Sequence, residues 1–237
     1  MNESNDGGRF PVYVLLDTSG SMAPNIDALK SGFRDLVDQL SNDSQVCELV
    51  ALCVVAFDTN VKTLIPLSRL WDISSDIQIN TGGVTLTGQA LKAVNEMAQN
   101  ELHFVTQNGL AADYKPLLVI MTDGECTDES GNRNNNAKMQ LASGVNELKS
   151  YKWGGILACG MGNYDREELL SITEQVVEID EVKNFFKLLK TTIKQSSKLA
   201  TSSATAQGDA KIYSQPIQAS INQMNSGNDA PSDTDFI

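Results

Sequence analysis

Four nearly unbroken apolar runs constrain the fold most. Phe10-Pro-Val-Tyr-Val-Leu-Leu16, Glu48 to Phe57, Pro116-Leu-Leu-Val-Ile-Met121 and Trp153 to Cys159 are each the length of a strand. A strand that is apolar on both sides belongs inside a sheet covered on both faces. Helical spacing fills the gaps between them. Ile26, Leu29, Phe33, Leu36, Val37 and Leu40 recur at three- and four-residue intervals, and Leu91, Val94 and Met97 form one stripe of a helix from about Leu86 through Ala98 and onward. Further helices are expected from about Ala137 to Ser150, from an N-cap at Asp165-Arg-Glu-Glu168, and from Val182 to about Leu199, with a short strand at Val176 to Ile179. Asp58-Thr-Asn60 reads as a turn into an antiparallel edge strand, Val61 to Ile65. The alternation implies βαβ units with right-handed crossovers, hence a doubly wound α/β fold with a mainly parallel sheet.

In such sheets ligands bind outside the carboxyl ends of the strands. Asp17 and Asp123 each stand where an apolar run stops. The segment Leu15-Leu-Asp17-Thr-Ser19-Gly-Ser21-Met22 delivers one carboxylate and two hydroxyls into a tight loop, with Gly20 relieving the bend. Hard oxygen donors without imidazole or thiolate select Mg2+, Mn2+ or Ca2+ over zinc and copper, and six-fold coordination at ~2.1 Å favours Mg2+. Each piece alone has a plainer reading. Asp17 with Ser19 could cap the following helix, Thr85 could be an N-cap, and Asp123-Gly124 could be an ordinary turn. Glu125 and Asp128 read as solvated loop charges, and Asp58 as a turn residue.

Taken together and in order, Asp17-x-Ser19-x-Ser21, Thr85 within Gly82-Gly-Val-Thr-Leu-Thr-Gly88, and Asp123 within Thr122-Asp-Gly124 resemble the metal-ion-dependent adhesion site of von Willebrand factor A domains. That resemblance implies the Rossmann-like fold of the family over residues 9–199, with 1–8 an N-terminal extension. It also implies a cation held directly by Ser19, Ser21 and Thr85, with Asp17 and Asp123 acting largely through water, and a partner protein that offers an Asp or Glu side chain to the metal. Val84 is inserted where many relatives read Gly-Gly-Thr, so Thr87 is the competing hydroxyl; the family spacing to Gly88 and Ala90-Leu91 favours Thr85. The first motif and Lys115-Pro-Leu-Leu-Val-Ile-Met-Thr-Asp-Gly124 are similar to the bacterial TerY-type proteins of tellurite-resistance and stress-response systems. This similarity implies a link to a Ser/Thr kinase or a PP2C-type phosphatase.

Composition excludes several other classes. A net charge of −12 repels nucleic acid and anionic lipid. No basic and apolar leader opens the sequence and no apolar run approaches the ~20 residues of a membrane span, so a soluble, cytoplasmic protein is expected. Cys47, Cys53, Cys126 and Cys159 contain no CxxC pair and are expected to be plain thiols, a reading preferred over a regulatory role for Cys126 beside the motif loop. His103, the only histidine, falls in a helical region away from the motifs, and neither a GxSxG elbow nor a phosphate-binding GxxxxGK[ST] loop is present. A non-enzymatic interaction module is therefore expected, with an Mg2+-dependent phosphohydrolase as the alternative. From 200 to 237 the composition turns to Ser, Thr, Ala, Gln, Asn, Gly and Asp, which predicts a flexible tail. Within it, Lys211-Ile-Tyr-Ser-Gln-Pro-Ile217 is the one stretch apolar enough to dock, and the Ser and Thr residues are candidate phosphorylation sites.

Overall fold

The computed structural model describes residues 8–104, 112–202 and 212–226. Its strands β1 (Phe10–Asp17), β2 (Val50–Phe57), β3 (Val61–Arg69), β4 (Leu117–Thr122), β5 (Gly155–Met161) and β6 (Val176–Ile179) form one sheet, in the order β3-β2-β1-β4-β5-β6. All neighbours are parallel except β2 and β3, the antiparallel pair at one edge. The helices are α1 (Ile26–Ser41), α2 (Ser44–Leu49), α3 (Thr87–Glu101), α4 (Asn135–Ser150), α5 (Arg166–Ile172), α6 (Val182–Ser202) and α7 (Ser214–Asn225).

The two-residue period of a strand splits each apolar run between two cores. Phe10, Val12, Val14 and Leu16 of β1 pack with α1, α6 and α7, whereas Tyr13 and Leu15 pack with α3 and α4 on the other face. Each fully buried side chain of this size contributes about 1.5–3 kcal/mol relative to exposure. On the second face α3 and α4 meet without side chains between them: a Cβ on Gly88 would overlap the Gln140 carbonyl, and one on Gly144 the Gly88 carbonyl. This close approach holds the start of α3 against the middle of α4. The chain leaves β1 toward β2 on one side and returns to β4 on the other, so the β1/β4 seam is the switch point where a ligand is expected.

Several boundaries differ from expectation. Glu48 and Leu49 belong to α2, whose N-cap Asp43 accepts the Val46 N–H, so β2 starts at Val50. β3 runs on to Arg69, because Pro66 removes no ladder bond that an edge strand requires. α3 ends at Glu101, leaving His103 beyond it, and β5 begins after Trp153.

The larger correction concerns the tail. α6 continues to Ser202, and residues 212–226 fold back onto the domain through α7 instead of forming a flexible segment. Tyr213, Pro216, Ile217, Ser220 and Ile221 are buried, and their spacing is that of one helical stripe. The Tyr213 N–H donates to the Gly154 carbonyl (2.9 Å) and its hydroxyl to the Lys115 carbonyl (3.0 Å), while its ring stands edge-on to Phe10 at 5.2 Å. A Cβ on Gly154 would overlap that ring. A composition polar on average thus still carries one apolar stripe, and a preformed sheet needs no more to bind it. Residues 1–7, 203–211 and 227–237 of the expected extension and tail lie outside the described residues.

Candidate metal centre

Asp17 closes β1 and is fully buried, with both carboxylate oxygens engaged. Oδ1 accepts the Ser19 N–H (2.8 Å) and Oδ2 accepts the Thr122 hydroxyl (2.5 Å) from the end of β4. The first bond bends the chain into a short 3-10 turn, Gly20–Asn25. That bend sets the Ser19 and Ser21 hydroxyl oxygens 3.1 Å apart, and Ser21 donates to Oδ1 of Asp123 (2.7 Å). Ser19 is 2% exposed, whereas Ser21 opens to solvent.

The loop carrying Thr85 is tied to the same place. The Gly82 N–H donates to the Thr18 carbonyl (2.9 Å), the Gly20 N–H to the Gly83 carbonyl (3.3 Å), and the Val84 N–H to the Thr59 hydroxyl (3.1 Å). Gly83 has φ +70° and a Cβ there would overlap Thr59, so only glycine fits. Thr85 Oγ lies 3.4 Å from the point where a Cβ on Gly124 would sit, next to Asp123. Thr87 instead turns its hydroxyl to the Cys126 thiol. The structure therefore joins Asp17, Ser19, Ser21 and Asp123 through hydrogen bonds and sets Thr85 against Gly124, next to Asp123, while Thr87 lies beside Cys126.

These hydroxyls are not spent on helix capping. Ser19 makes no side-chain cap bond to the 3-10 turn, and α3 starts after Leu86 with no side-chain cap. Burial pushes the Asp17 carboxyl up to about 6 from an ordinary 3.8, against the opposing effect of the Thr122 and Ser19 hydrogen bonds. Burial also raises Asp123, with the Ser21 hydroxyl opposing it. Neither carboxylate has an ion-pair partner among the described residues.

Of the surrounding residues, Asp128 departs from expectation, whereas Asp58 and the cysteines stand as expected. Asp128 is not a solvated charge: it is buried, accepting the Ser130 and Asn132 N–H groups (both 2.9 Å) and the Asn134 side-chain amide (2.6 Å). Hydrogen bonds, led by that of the Asn132 backbone, hold its carboxyl below the ordinary range. Glu125 pairs with Arg133 at 2.5 Å. Asp58 closes the hairpin by accepting the Asn60 N–H (2.8 Å) and also accepts the Thr18 hydroxyl (3.3 Å). All four cysteines are free thiols. The Cys126 thiol is buried, pushed up by burial, and faces the Thr127 and Ala137 carbonyls, an environment opposite to that of a reactive thiolate. His103 donates its N–H to Asp113, which pairs with Arg9 just before β1, at the opposite end of the sheet from Asp17. The motif reading assigned no role to Thr122 or Thr59. Their hydroxyls act across loops distant in sequence, and no local pattern marks them.

Among the described residues no group of three or more His, Cys, Asp or Glu is placed to hold a metal. The donors that converge are two carboxylates and three hydroxyls, all hard oxygens, and they suit a divalent cation of that preference. No helix among the described residues is long and apolar enough to cross a membrane.

The family model for the von Willebrand factor type A domain matches residues 12–199. Comparison with curated proteins finds no match. Solved structures of similar fold include the pilus adhesin SpaC from Lactobacillus rhamnosus GG in its open conformation, with TM-score 0.62 and 14% identity over 80% of this chain and 30% of that one. A von Willebrand factor type A protein from Catenulispora acidiphila gives TM-score 0.54 and 14% identity over 79% of this chain and 43% of its own. Proximal thread matrix protein 1 from the mussel byssus, solved with a zinc-occupied MIDAS motif, gives TM-score 0.51 and 19% identity over 81% and 46%. The chain spans less than half the length of each, and at these identities the likeness is one of fold. With a β3-β2-β1-β4-β5-β6 sheet, helices on both faces and a family match through most of its length, the chain belongs to the von Willebrand factor type A domain family.

Proposed function

We propose that this domain binds a divalent cation through Ser19, Ser21 and Thr85, with Asp17 and Asp123 acting largely through water, and that it docks an acidic side chain of another protein there. The observation that carries this reading is the 3.1 Å separation of the Ser19 and Ser21 oxygens, beside two carboxylates that have no cationic partner among the described residues. Neighbouring ligands of an octahedral ion at ~2.1 Å lie about 3.0 Å apart. Mg2+ is the preferred occupant, with Mn2+ or Ca2+ as substitutes. The zinc-occupied motif of the mussel protein argues that oxygen donors favour hard ions without refusing zinc, so excluding zinc on ligand softness alone is too strict.

Two carboxylates balance the charge of the ion without filling its coordination shell. When bound, the cation supplies an open position for an incoming Asp or Glu carboxylate. Thr122 and the Ser19 N–H hold Asp17 in place, and the exposed Ser21 marks the side from which a partner approaches. Domains of this family generally serve as interaction modules, and the single imidazole lies at the far end of the sheet. The phosphohydrolase alternative therefore lacks a histidine to move protons at the site. The similarity to TerY-type proteins leads us to place the partner in a tellurite-resistance or stress-response system, as a Ser/Thr kinase or PP2C-type phosphatase.

Affinity purification with the full chain as bait, in Mg2+ and in EDTA, tests the docking claim. A partner retained in Mg2+, released by EDTA and lost with Ser19→Ala is the expected result. Retention unaffected by EDTA would contradict it.

A further inference from the structure

We infer that Thr127 is a positioning residue of the cation site, clamping Thr85 so that its hydroxyl is presented beside Asp123. The inference rests on the cation-binding reading above. Thr127 grips both main-chain polar groups of Thr85. Its N–H donates to the Thr85 carbonyl (2.9 Å), its hydroxyl oxygen accepts the Thr85 N–H (3.1 Å), and the same hydroxyl donates back to the Thr85 carbonyl (3.4 Å). One hydroxyl has the single proton and two lone pairs that such a double role requires.

The bonds at Gly82, Gly83 and Val84 fix the loop before Thr85, and among the described residues the hydrogen bonds to the Thr85 main chain itself all come from Thr127. Thr85 precedes α3, whose first turn has no side-chain cap, and the adjoining Leu86 N–H reaches the Asp58 carbonyl only at 3.4 Å. Thr127 is itself well anchored. The preceding Cys126 N–H donates to Glu168 of α5 (2.7 Å), and the following Asp128 closes its own loop onto Ser130, Asn132 and Asn134. Because Thr127 lies four residues after Asp123, the clamp ties the Thr85 loop to the Asp123 loop and sets their spacing. A ligand oxygen displaced by a few tenths of an ångström no longer suits a small octahedral ion, so the hydroxyl of Thr127 acts on affinity without touching the metal.

Mn2+ titration of the full chain, followed by the electron paramagnetic resonance signal of the free ion, tests this with wild type, Thr127→Val, Thr127→Ser and Ser19→Ala. Valine keeps the shape and removes the hydroxyl; serine keeps the hydroxyl. The expected result is Mn2+ binding weakened roughly ten- to hundredfold in Thr127→Val, near wild type in Thr127→Ser, and lost in Ser19→Ala. In a Thr85→Ala background, Thr127→Val is expected to weaken binding no further. Circular dichroism of the metal-free proteins reports folding, and Thr127→Ala replaces the valine variant if that one does not fold. A folded Thr127→Val that binds Mn2+ like wild type would overturn the clamp alone, as would equal loss in Thr127→Ser. Absence of Mn2+ binding by wild type would overturn the underlying reading instead.

Discussion

The Thr122 hydroxyl donates a 2.5 Å hydrogen bond to Oδ2 of Asp17, joining the ends of β4 and β1 at the switch point of the sheet. The bond lowers the cost of a buried carboxylate without abolishing it, since burial still pushes Asp17 up to about 6. Among the described residues no cationic side chain pairs with this buried acid.

The sign of the pH dependence follows. A carboxyl raised by folding contributes stability that is present below its unfolded value of 3.8 and lost as pH rises through about 6. Asp123, also raised, acts in the same direction. In the metal-free protein, Asp17→Asn is therefore expected to raise the melting temperature at pH 7 more than at pH 5, because Asn still accepts the Ser19 N–H and carries no charge. Saturating Mg2+ is expected to raise the melting temperature of wild type at pH 7, less so at pH 5, and not that of Asp17→Asn. Thermal melts at the two pH values check this; a metal-free Asp17→Asn that melts lower than wild type at pH 7 would count against it.

Thr85 and Thr87 are expected to separate cleanly. Thr85 faces Gly124, whereas Thr87 faces Cys126. Thr85→Val should reduce Mn2+ affinity by at least about tenfold, the loss of one ligand, and Thr87→Val should leave it near wild type. The reverse order in a Mn2+ titration would reassign the ligand across the inserted Val84.

The C-terminal helix should be part of the folded unit. Tyr213→Ala removes a fully buried ring and is expected to cost about 3–5 kcal/mol in denaturant unfolding. Tyr213→Phe loses only the bond to the Lys115 carbonyl, about 1 kcal/mol. A Tyr213→Ala cost below about 1 kcal/mol would mean that α7 adds little to the domain.

What the sequence made legible, and what it hid, follows from locality. β1 was readable because a strand buried on both faces is apolar throughout, and Asp17 because it ends that run. The site motif was readable as three spacings, each tied to a strand end or loop. α2 was hidden because Ser44–Leu49 is too short to show a period and merges into the apolar run of β2. α7 was hidden because Tyr213, Ile217 and Ile221 are diluted by polar residues, although their spacing was on view. Thr122, Thr59 and Thr127 act through single hydroxyls on backbone or side chains many residues away. Asp128 looked solvated because the loop that buries it is built of polar residues.

The proposed function requires Asp17, Ser19, Ser21, Thr85 and Asp123 to hold one cation together. Calorimetric titration of Mg2+ into the full chain tests it most directly, with Mn2+, Ca2+ and Zn2+ in parallel and Asp17→Ala as control. One ion bound per chain is expected, with affinity falling as pH drops through about 6 as Asp17 protonates, and no binding by Asp17→Ala. Wild type that binds none of the four ions at pH 7, or Asp17→Ala that binds them equally well, would contradict it.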